Sequence, residues 1–287
     1  MKRLPAPLRS GRVLVGGAIV LFFVVVAALA PFLAPMDPQT QDLLYTNLPP
    51  SFIAGGDPQF ILGTDGLGRD VLSRLIYSSR VALYVAFVGG IATMLLGGAL
   101  ALVAGYLGGW VDWVVSRTVE LWMSFPPVIL SVILLVGLGV GLNNVVLAIV
   151  LVDWTRFSRV LRADVMVVTR RDYIAAARLA GFTHWQIITR EILPAVMPLM
   201  ITMLSLEMAI AVIVEAILSF VGLSVEANVP AWGVMIAEAR LYMYQNVWAL
   251  LFPFAAIFLI VLAFNLLGEG LRRTLDPRLQ QSRRLES

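Results

Sequence analysis

VALYVAFVGGIATMLLGGALALVAGYL, residues 81–107, contains no charged side chain. A helix rises about 1.5 Å per residue, so about 20 apolar residues cross the hydrocarbon of a bilayer. This stretch is longer than that. Because hydrocarbon offers no hydrogen bonds, a chain crossing it must pair its backbone groups within one helix or around a closed barrel. Barrel strands alternate apolar and polar residues, and this stretch does not. It predicts a transmembrane helix.

Similar runs lie on both sides of it: Val13–Leu33, Leu121–Val140, Leu142 to about Val160, Ile192 to about Val221, and Val247–Leu267. The run from Leu142 is interrupted by Asp153 and Arg156, and the one from Ile192 holds Glu207 and Glu215. No stretch alternates for long enough to suggest a barrel. The expected fold class is an all-α integral membrane protein of about six transmembrane helices. Composition agrees. Charged residues make up 14% and hydrophobic residues 60%, with a mean hydropathy of +0.89. Soluble domains carry about 25% charge, so lipid must cover part of this surface.

Composition also excludes several chemistries. There is no cysteine, and so no disulfide, thiolate metal site or cysteine nucleophile. His184 is the only histidine, which removes histidine metal clusters and Ser-His triads. Lys2 is the only lysine, so the chain has no phosphate-binding loop of the lysine-containing kind. No cofactor or metal is expected in this chain. The net charge of +3 is spread along the sequence, which suits the edges of a membrane protein better than a nucleic-acid surface.

The first span resembles a secretory signal, with Lys2, Arg3, Arg9 and Arg12 before it and Ala28-Leu29-Ala30 near its end. Its apolar run is too long for a usual signal core, and Pro31 follows the small residues at once. It is therefore expected to be retained. With the N-terminus placed inside, all 21 basic residues except Arg69, Arg74, Arg80 and Arg240 fall in inner segments. This bias puts both termini in the cytoplasm. The chain then divides into 1–80, an N-terminal helix with an extracytoplasmic segment, and 81–287, a transmembrane domain with a cytoplasmic loop at 164–191. The outer segments, about Ala34–Arg80 and Ser224–Asn246, are expected to form one receiving face that includes Asp57 and Asn246. Trp110, Trp113, Trp232 and Trp248 are expected at the membrane borders.

The inner loop contains Thr169-Arg-Arg-Asp-Tyr-Ile-Ala-Ala-Ala-Arg-Leu-Ala-Gly181. Thr169 with Asp172 suggests a helix cap. Gly181 suits a left-handed C-terminal cap, and Thr183-His-Trp-Gln186 a second capping box. Pro194 is expected to close that second helix and open the next span. Two short helices joined at a glycine follow. On physics alone they are either a docking element or an amphipathic surface resting on lipid.

Ala175-Ala176-Ala177, Gly181 and Leu193-Pro194 have the spacing of the EAA loop of binding-protein-dependent ABC importer permeases. Ala175 replaces the usual glutamate and Glu191 the usual isoleucine. Leu62-Gly-Thr-Asp-Gly-Leu-Gly-Arg-Asp-Val-Leu-Ser-Arg-Leu-Ile-Tyr77, Glu215-Ala-Ile-Leu-Ser-Phe-Val-Gly-Leu223, Pro230-Ala-Trp-Gly-Val-Met235, Phe264-Asn-Leu-Leu-Gly-Glu-Gly-Leu-Arg272 and Leu275-Asp-Pro-Arg278 resemble segments of the C-type dipeptide, oligopeptide and nickel importer permeases. Glu269 and Arg273 depart from their usual aspartates. The resemblance runs in order along nearly the whole chain.

It implies a type I ABC importer permease fold and a non-catalytic subunit. The subunit would pair with a homologous second permease in a bacterial or archaeal plasma membrane, the inner membrane of a Gram-negative cell. Two cytoplasmic ATPases would bind ATP and magnesium, and an extracytoplasmic binding protein would deliver di- or oligopeptides. Nickel or a nickel chelate is the alternative solute. By the same resemblance, Asp172, Ala175, Ala176, Ala177, Gly181, Leu193 and Pro194 form the coupling region that meets the ATPase.

Charges within the spans remain. Glu207, Glu215 and Asp153 are candidates for lining the translocation path, because carboxylates at membrane depth face water or a bundle interior. For Asp153, an ion pair with Arg156 three residues on is the plainer reading. Glu215 lies in a segment shared with permeases of other solutes, and a structural hydrogen bond to a partner helix is preferred for it. Glu207 stays open. The glycines of Gly63-Thr-Asp-Gly-Leu-Gly68 read as a structural turn. An intramembrane enzyme would need a histidine or a metal cluster inside the bundle, whereas a self-sufficient channel or secondary transporter stays open on the residues alone; ATP hydrolysis stimulated by delivered solute separates the importer from both.

Overall fold

The computed structural model describes residues 10–226 and 228–275, and among them every regular element is helical. The basic residues Lys2, Arg3 and Arg9 before the first span, and the Asp276-Pro277-Arg278 segment with Arg283 and Arg284, lie outside the described residues. The chain enters α1 (Gly11–Ala28), turns at Leu29 into the single turn α2 (Ala30–Leu33), and crosses an irregular segment to α3 (Val71–Tyr84). The Asp70 carboxylate starts α3 by accepting the backbone N–H of Ser73 at 2.8 Å. A π-helical turn, Val85–Gly89, joins α3 to α4 (Gly90–Leu107) without a break, so this span begins ten residues before the apolar run that announces it.

Gly108 and Gly109, at φ +65° and +56°, turn the corner into α5 (Gly109–Met123). After it come α6 (Pro127–Leu138), α7 (Leu142–Thr169) and the short α8 (Asp172–Leu179). α9 (His184–Gln186) continues through a second π-helical turn, Ile187–Ile192, into α10 (Leu193–Phe220). α11 (Trp232–Ala239) and α12 (Trp248–Leu275) complete the chain.

Among the described residues, four helical segments are long and apolar enough to cross a membrane: Gly11–Ala28, Val71–Leu107, His184–Phe220 and Trp248–Thr274. A fifth is added if α5 and α6, bent 89° from one another, count as one broken span. The expected span Leu121–Val140 is thus corrected. The helix breaks at residues 124–126, before Pro126-Pro127, where two successive residues lack the backbone donor a continuous helix needs. α7 has the length to cross, but Asp153, Arg156, Arg159, Arg162 and Asp164 lower its hydropathy.

α7 runs to Thr169, whose hydroxyl bonds back to the Val165 carbonyl at 2.8 Å. Thr169 is therefore not the cap of α8, which begins after Arg171 with no side-chain cap. Pro194 does not close a helix. It follows the widened π turn, which accommodates its missing N–H while the helix runs on.

Small residues let the long helices meet. A Cβ on Gly97 of α4 would lie 2.7 Å from the Trp154 carbonyl oxygen of α7, and one on Gly105 would lie 2.7 Å from the Val165 side chain. Gly16 of α1 meets the Ala263 carbonyl of α12 in the same way. With lipid on the outside, such close backbone approach supplies the packing that holds membrane helices together. Around it, Phe23, Trp232, Ile260 and Phe264 fill one core cluster, and Phe157, Leu161, Ile174, Ile192 and Val196 fill another near α8. Trp232 is 1% exposed and donates its indole N–H to the Leu75 carbonyl, so it is a core residue and not part of a border belt. Trp110 and Trp113 are exposed as expected of one.

Gly97→Val forces a branched side chain against the α7 backbone. It is expected to cost about 1–3 kcal/mol, read as a lower unfolding temperature of the purified protein in detergent. Gly137→Ala on α6, where a Cβ meets nothing within 4 Å, should leave that temperature unchanged.

Candidate functional site: an exposed helix face, a paired charge cluster and a charged lattice

α8 is closed at its C-terminal end. Gly181 takes φ +84°, its N–H bonds the Arg178 carbonyl at 3.1 Å, and the Phe182 N–H bonds the Ala177 carbonyl at 3.1 Å. This is the paired closure of a helix that ends in a left-handed residue. Thr183 and Gln186 then form the expected capping box, each side chain bonding the other residue's backbone N–H. Before these caps, in the first turn of α8, Ile174 is fully buried in the inner cluster.

The other side of α8 looks outward. Ala175 and Ala176 are exposed, while Ala177 is half-buried against the inner cluster. Leu179 is 91% exposed and Tyr173 45%. These two apolar side chains were not singled out from the sequence; their signal is the spacing of Tyr173, Ala176 and Leu179 on one helical face. Leu193 packs on the inner cluster and Pro194 is exposed at the start of α10. His184 is fixed beside this region by the Tyr106 hydroxyl at 2.8 Å, and the Arg178 guanidinium lies over the Tyr106 ring.

At mid-span, Arg156 of α7 joins two carboxylates. Its Nε and Nη2 donate to the two oxygens of Glu207 on α10 at 3.2 and 3.0 Å, and Nη2 also reaches Asp153 at 3.0 Å. Asp153 and Glu207 are buried, while the Arg156 side chain is 41% exposed. The expected Asp153–Arg156 pair is present, and it extends across to a second helix. Glu215 behaves differently. It is 1% exposed and accepts hydrogen bonds from the hydroxyls of Ser219, on its own helix, and Ser224, in the loop after it, so its partners are not on another helix.

The far end of the molecule is tied by charge. Asp65 accepts from Arg69 at 2.8 Å and from Arg74, and both arginines donate to Glu238 of α11 at 2.6 Å. Burial works against the charge on Arg69, but the hydrogen bond and charge of Glu238, together with those of Asp65, outweigh it and hold its pKa above the ordinary value. Asn246 donates to the carbonyls of Leu48 and Thr64 at 2.9 and 3.0 Å. The two outer segments are therefore joined. Asn246 is buried and does not stand on their outer surface, whereas Leu44 and Tyr244 do. Gly68, at φ +73°, leaves no room for a Cβ beneath the Asp42 carbonyl, which makes the glycine-rich stretch the structural turn that was expected.

Residues 97–281 match the family described as binding-protein-dependent transport system inner membrane component, and residues 8–50 match the N-terminal transmembrane domain of oligopeptide transport permease C. The chain belongs to this family of importer permease subunits. It is 38% identical to the di/tripeptide transport system permease protein of Pseudomonas aeruginosa, over 93% of this chain and 88% of the relative. It is 34% identical to the dipeptide transport system permease protein of Haemophilus influenzae, over 93% and 91%. To the nickel transport system permease protein of Escherichia coli K12 it is 36% identical, over 91% and 92%.

Removing the cation of the mid-span cluster strands two buried carboxylates. Breaking a buried pair costs about 3–5 kcal/mol, and the partial exposure of Arg156 places Arg156→Ala toward the low end. Glu207→Gln keeps the Arg156–Asp153 pair and should cost less. Thermal unfolding of the purified variants checks the order, and adding Glu207→Gln to Arg156→Ala should restore part of the loss.

Proposed function

We propose that this chain forms half of the translocation path of an ATP-driven importer of di- and oligopeptides. The exposed face of α8 carries this reading: a short helix, pinned by Ile174 and closed by caps at its C-terminal end, that turns Ala175, Ala176 and Leu179 away from the bundle. Two cytoplasmic ATPases bind ATP and magnesium, and one of them receives α8. Asp172 and Gly181 bound the docking helix, Leu193 and Pro194 carry its motion into α10, and Ala177 supports it from below. A homologous second permease completes the path, along which Arg156, Asp153 and Glu207 lie, with Glu215 in a structural role. The chain itself carries no catalytic step and needs no cofactor.

The count of six spans follows when α7 is added to the apolar helices and α5 with α6 is taken as one broken span. α7 can cross because Arg156 is paired with Asp153 and Glu207 within the bundle. Both termini face the cytoplasm of a bacterial cell. Arg12 at the start of α1 pairs with Glu269 near the end of α12, and Gly268 faces Thr202 and Ser205 in the first half of α10. Those ends share the side of α8 and of Arg170, Arg171, Arg178 and Arg190, which lie in it or flank it. Arg69 and Arg74 on the opposite side are buried and neutralised, so they weigh little against that bias. On that outer side the joined segments receive the binding protein.

Dipeptide is preferred as solute because the most identical of the three relatives named above carries di/tripeptide in its name. Proteoliposomes holding the complete importer should accumulate labelled dipeptide only with the binding protein outside and ATP inside. Uptake of nickel in place of dipeptide would replace the solute and leave the importer. Ala176→Trp should abolish solute-stimulated ATP hydrolysis and ATPase retention together; if both persist, α8 is not the coupling helix. A single cysteine at Tyr244 should react with an impermeant maleimide added to intact cells, and one at Leu179 should not.

A further inference from the structure

The corner between α8 and α9 has little of its own to fix its angle. Residues 178–185 are all exposed. Among the described residues, their hydrogen bonds stay within α8, α9 and the turns beside them, apart from that of His184. Gly181, at φ +84°, enters the left-handed region freely. A Cβ there would meet nothing within 4 Å, so no packing around the glycine holds the two arms.

Tyr106, the last residue but one of α4, supplies the hold. Its side chain is buried. Its hydroxyl is hydrogen-bonded to His184 Nδ1 at 2.8 Å, and the two rings meet edge to face with centroids 5.6 Å apart. His184 lies three residues after Gly181. Arg178 lies three residues before it, in the last turn of α8, and sets its guanidinium 5.3 Å from the centre of the same ring. One side chain thus grips both arms of the corner.

Tyr106 is itself firmly mounted. A Cβ on Gly105, beside it, would lie 2.7 Å from the Val165 side chain and 3.1 Å from the Arg162 carbonyl oxygen, so α4 and α7 touch at this level. Tyr106, Val165 and Ile174 share the inner cluster. α8 is therefore attached twice to the same helix pair, by Ile174 near its start and through Arg178 near its end. A cation over a ring at an exposed site and a single hydrogen bond are each modest contacts. Together they set the resting angle of the corner without locking it.

We propose that Tyr106 is a positioning residue for energy coupling. By gripping Arg178 and His184 on either side of Gly181, it sets the angle at which α8 meets the ATPase and passes the movement of this corner to α4. It acts through α8 and touches neither solute nor nucleotide. The proposal rests on the reading of α8 as the helix that docks on the ATPase, and not on the identity of the solute.

Two measurements on the complete importer test it: amide hydrogen exchange read by mass spectrometry, and ATP hydrolysis stimulated by the loaded binding protein. Tyr106→Leu should speed exchange in residues 177–183 and leave α4 and α7 as in wild type. It should lower the maximal stimulated rate roughly fivefold, the equivalent of one net hydrogen bond, at an unchanged half-saturating concentration of binding protein. Tyr106→Phe keeps the ring and loses the hydroxyl, so it should fall between the two. His184→Ala should match it, and joining these two changes should cost nothing more than either alone. Arg178→Gln, at an exposed position, should loosen the corner without any change in the core. Wild-type exchange and rate in both His184→Ala and Arg178→Gln overturn the proposal, whatever Tyr106→Leu does to folding. So does a loosened corner with an unchanged stimulated rate, which would leave Tyr106 a structural role only. If instead α8 is not the docking helix, Ala176→Trp leaves hydrolysis intact while Tyr106→Phe still loosens the corner, so the two failures are told apart.

Discussion

Hydrocarbon supplies no hydrogen bonds, and a polar group within it must find its partner inside the protein. That requirement explains more of this chain than hydropathy does. It selects helices, and it governs the buried charges of α7 and α10. Arg156 is tolerated because Asp153 and Glu207 meet it from two helices. The cluster has one cation for two carboxylates, and the exposed edge of Arg156 is where it meets its surroundings. Glu215 satisfies the same requirement with two hydroxyls, Ser219 and Ser224, which tie the end of α10 to the loop that follows.

The same requirement sets what could be read from residue order. The apolar runs were legible because lipid selects composition directly, over about 20 residues at a time. The Gly181 cap and the Thr183–Gln186 box were legible because each is satisfied within a few residues. The N-terminal boundary of α8 was not. Thr169 has the right neighbours for a cap, but Val165–Val168 keep α7 helical and draw its hydroxyl back into the preceding turn. The break at residues 124–126 is also visible as a Pro-Pro pair, yet an apolar average passes straight through it. Pairings across the chain left no local trace. Arg69 and Arg74 are separated from Glu238 by more than 160 residues, and only the folded chain shows that these outer arginines are internal. Trp232 was misplaced for the same reason: a tryptophan near a span end looks like a border residue until its indole N–H finds the Leu75 carbonyl.

The two ends of the molecule are held by different physics. At the end away from α8, four charged residues and the Asn246 amide lock residues 42–70 to α3, α11 and the loop before α12. Each bond there is directional, and the buried arginines would be left unsatisfied by any large displacement, so this end favours a single geometry. At the other end α8 is held by the side chain of Ile174, a half-buried Ala177 and the caps at its C-terminal end. Apolar contact of this kind has no preferred direction, and it permits α8 to rock about its anchor at small cost.

A force applied to α8 therefore has a defined route. Ile174 presses on a cluster that includes Val165 and Leu161 of α7, Ile187 and Ile192 of the π turn, and Val196 of α10. Those two helices are joined again at mid-span by Arg156 and Glu207, so they move together and not past one another. The π turn just before Pro194 is the place where that motion meets a helix with an altered hydrogen-bond ladder, and such turns bend more readily than regular helix. In the proposed importer, closure of the ATPases would draw α8 and the paired helices as one body, while the outer lattice keeps the receiving face in shape. The apolar anchor lets the inner end follow its partner, and the charged lattice lets the outer end hold its form.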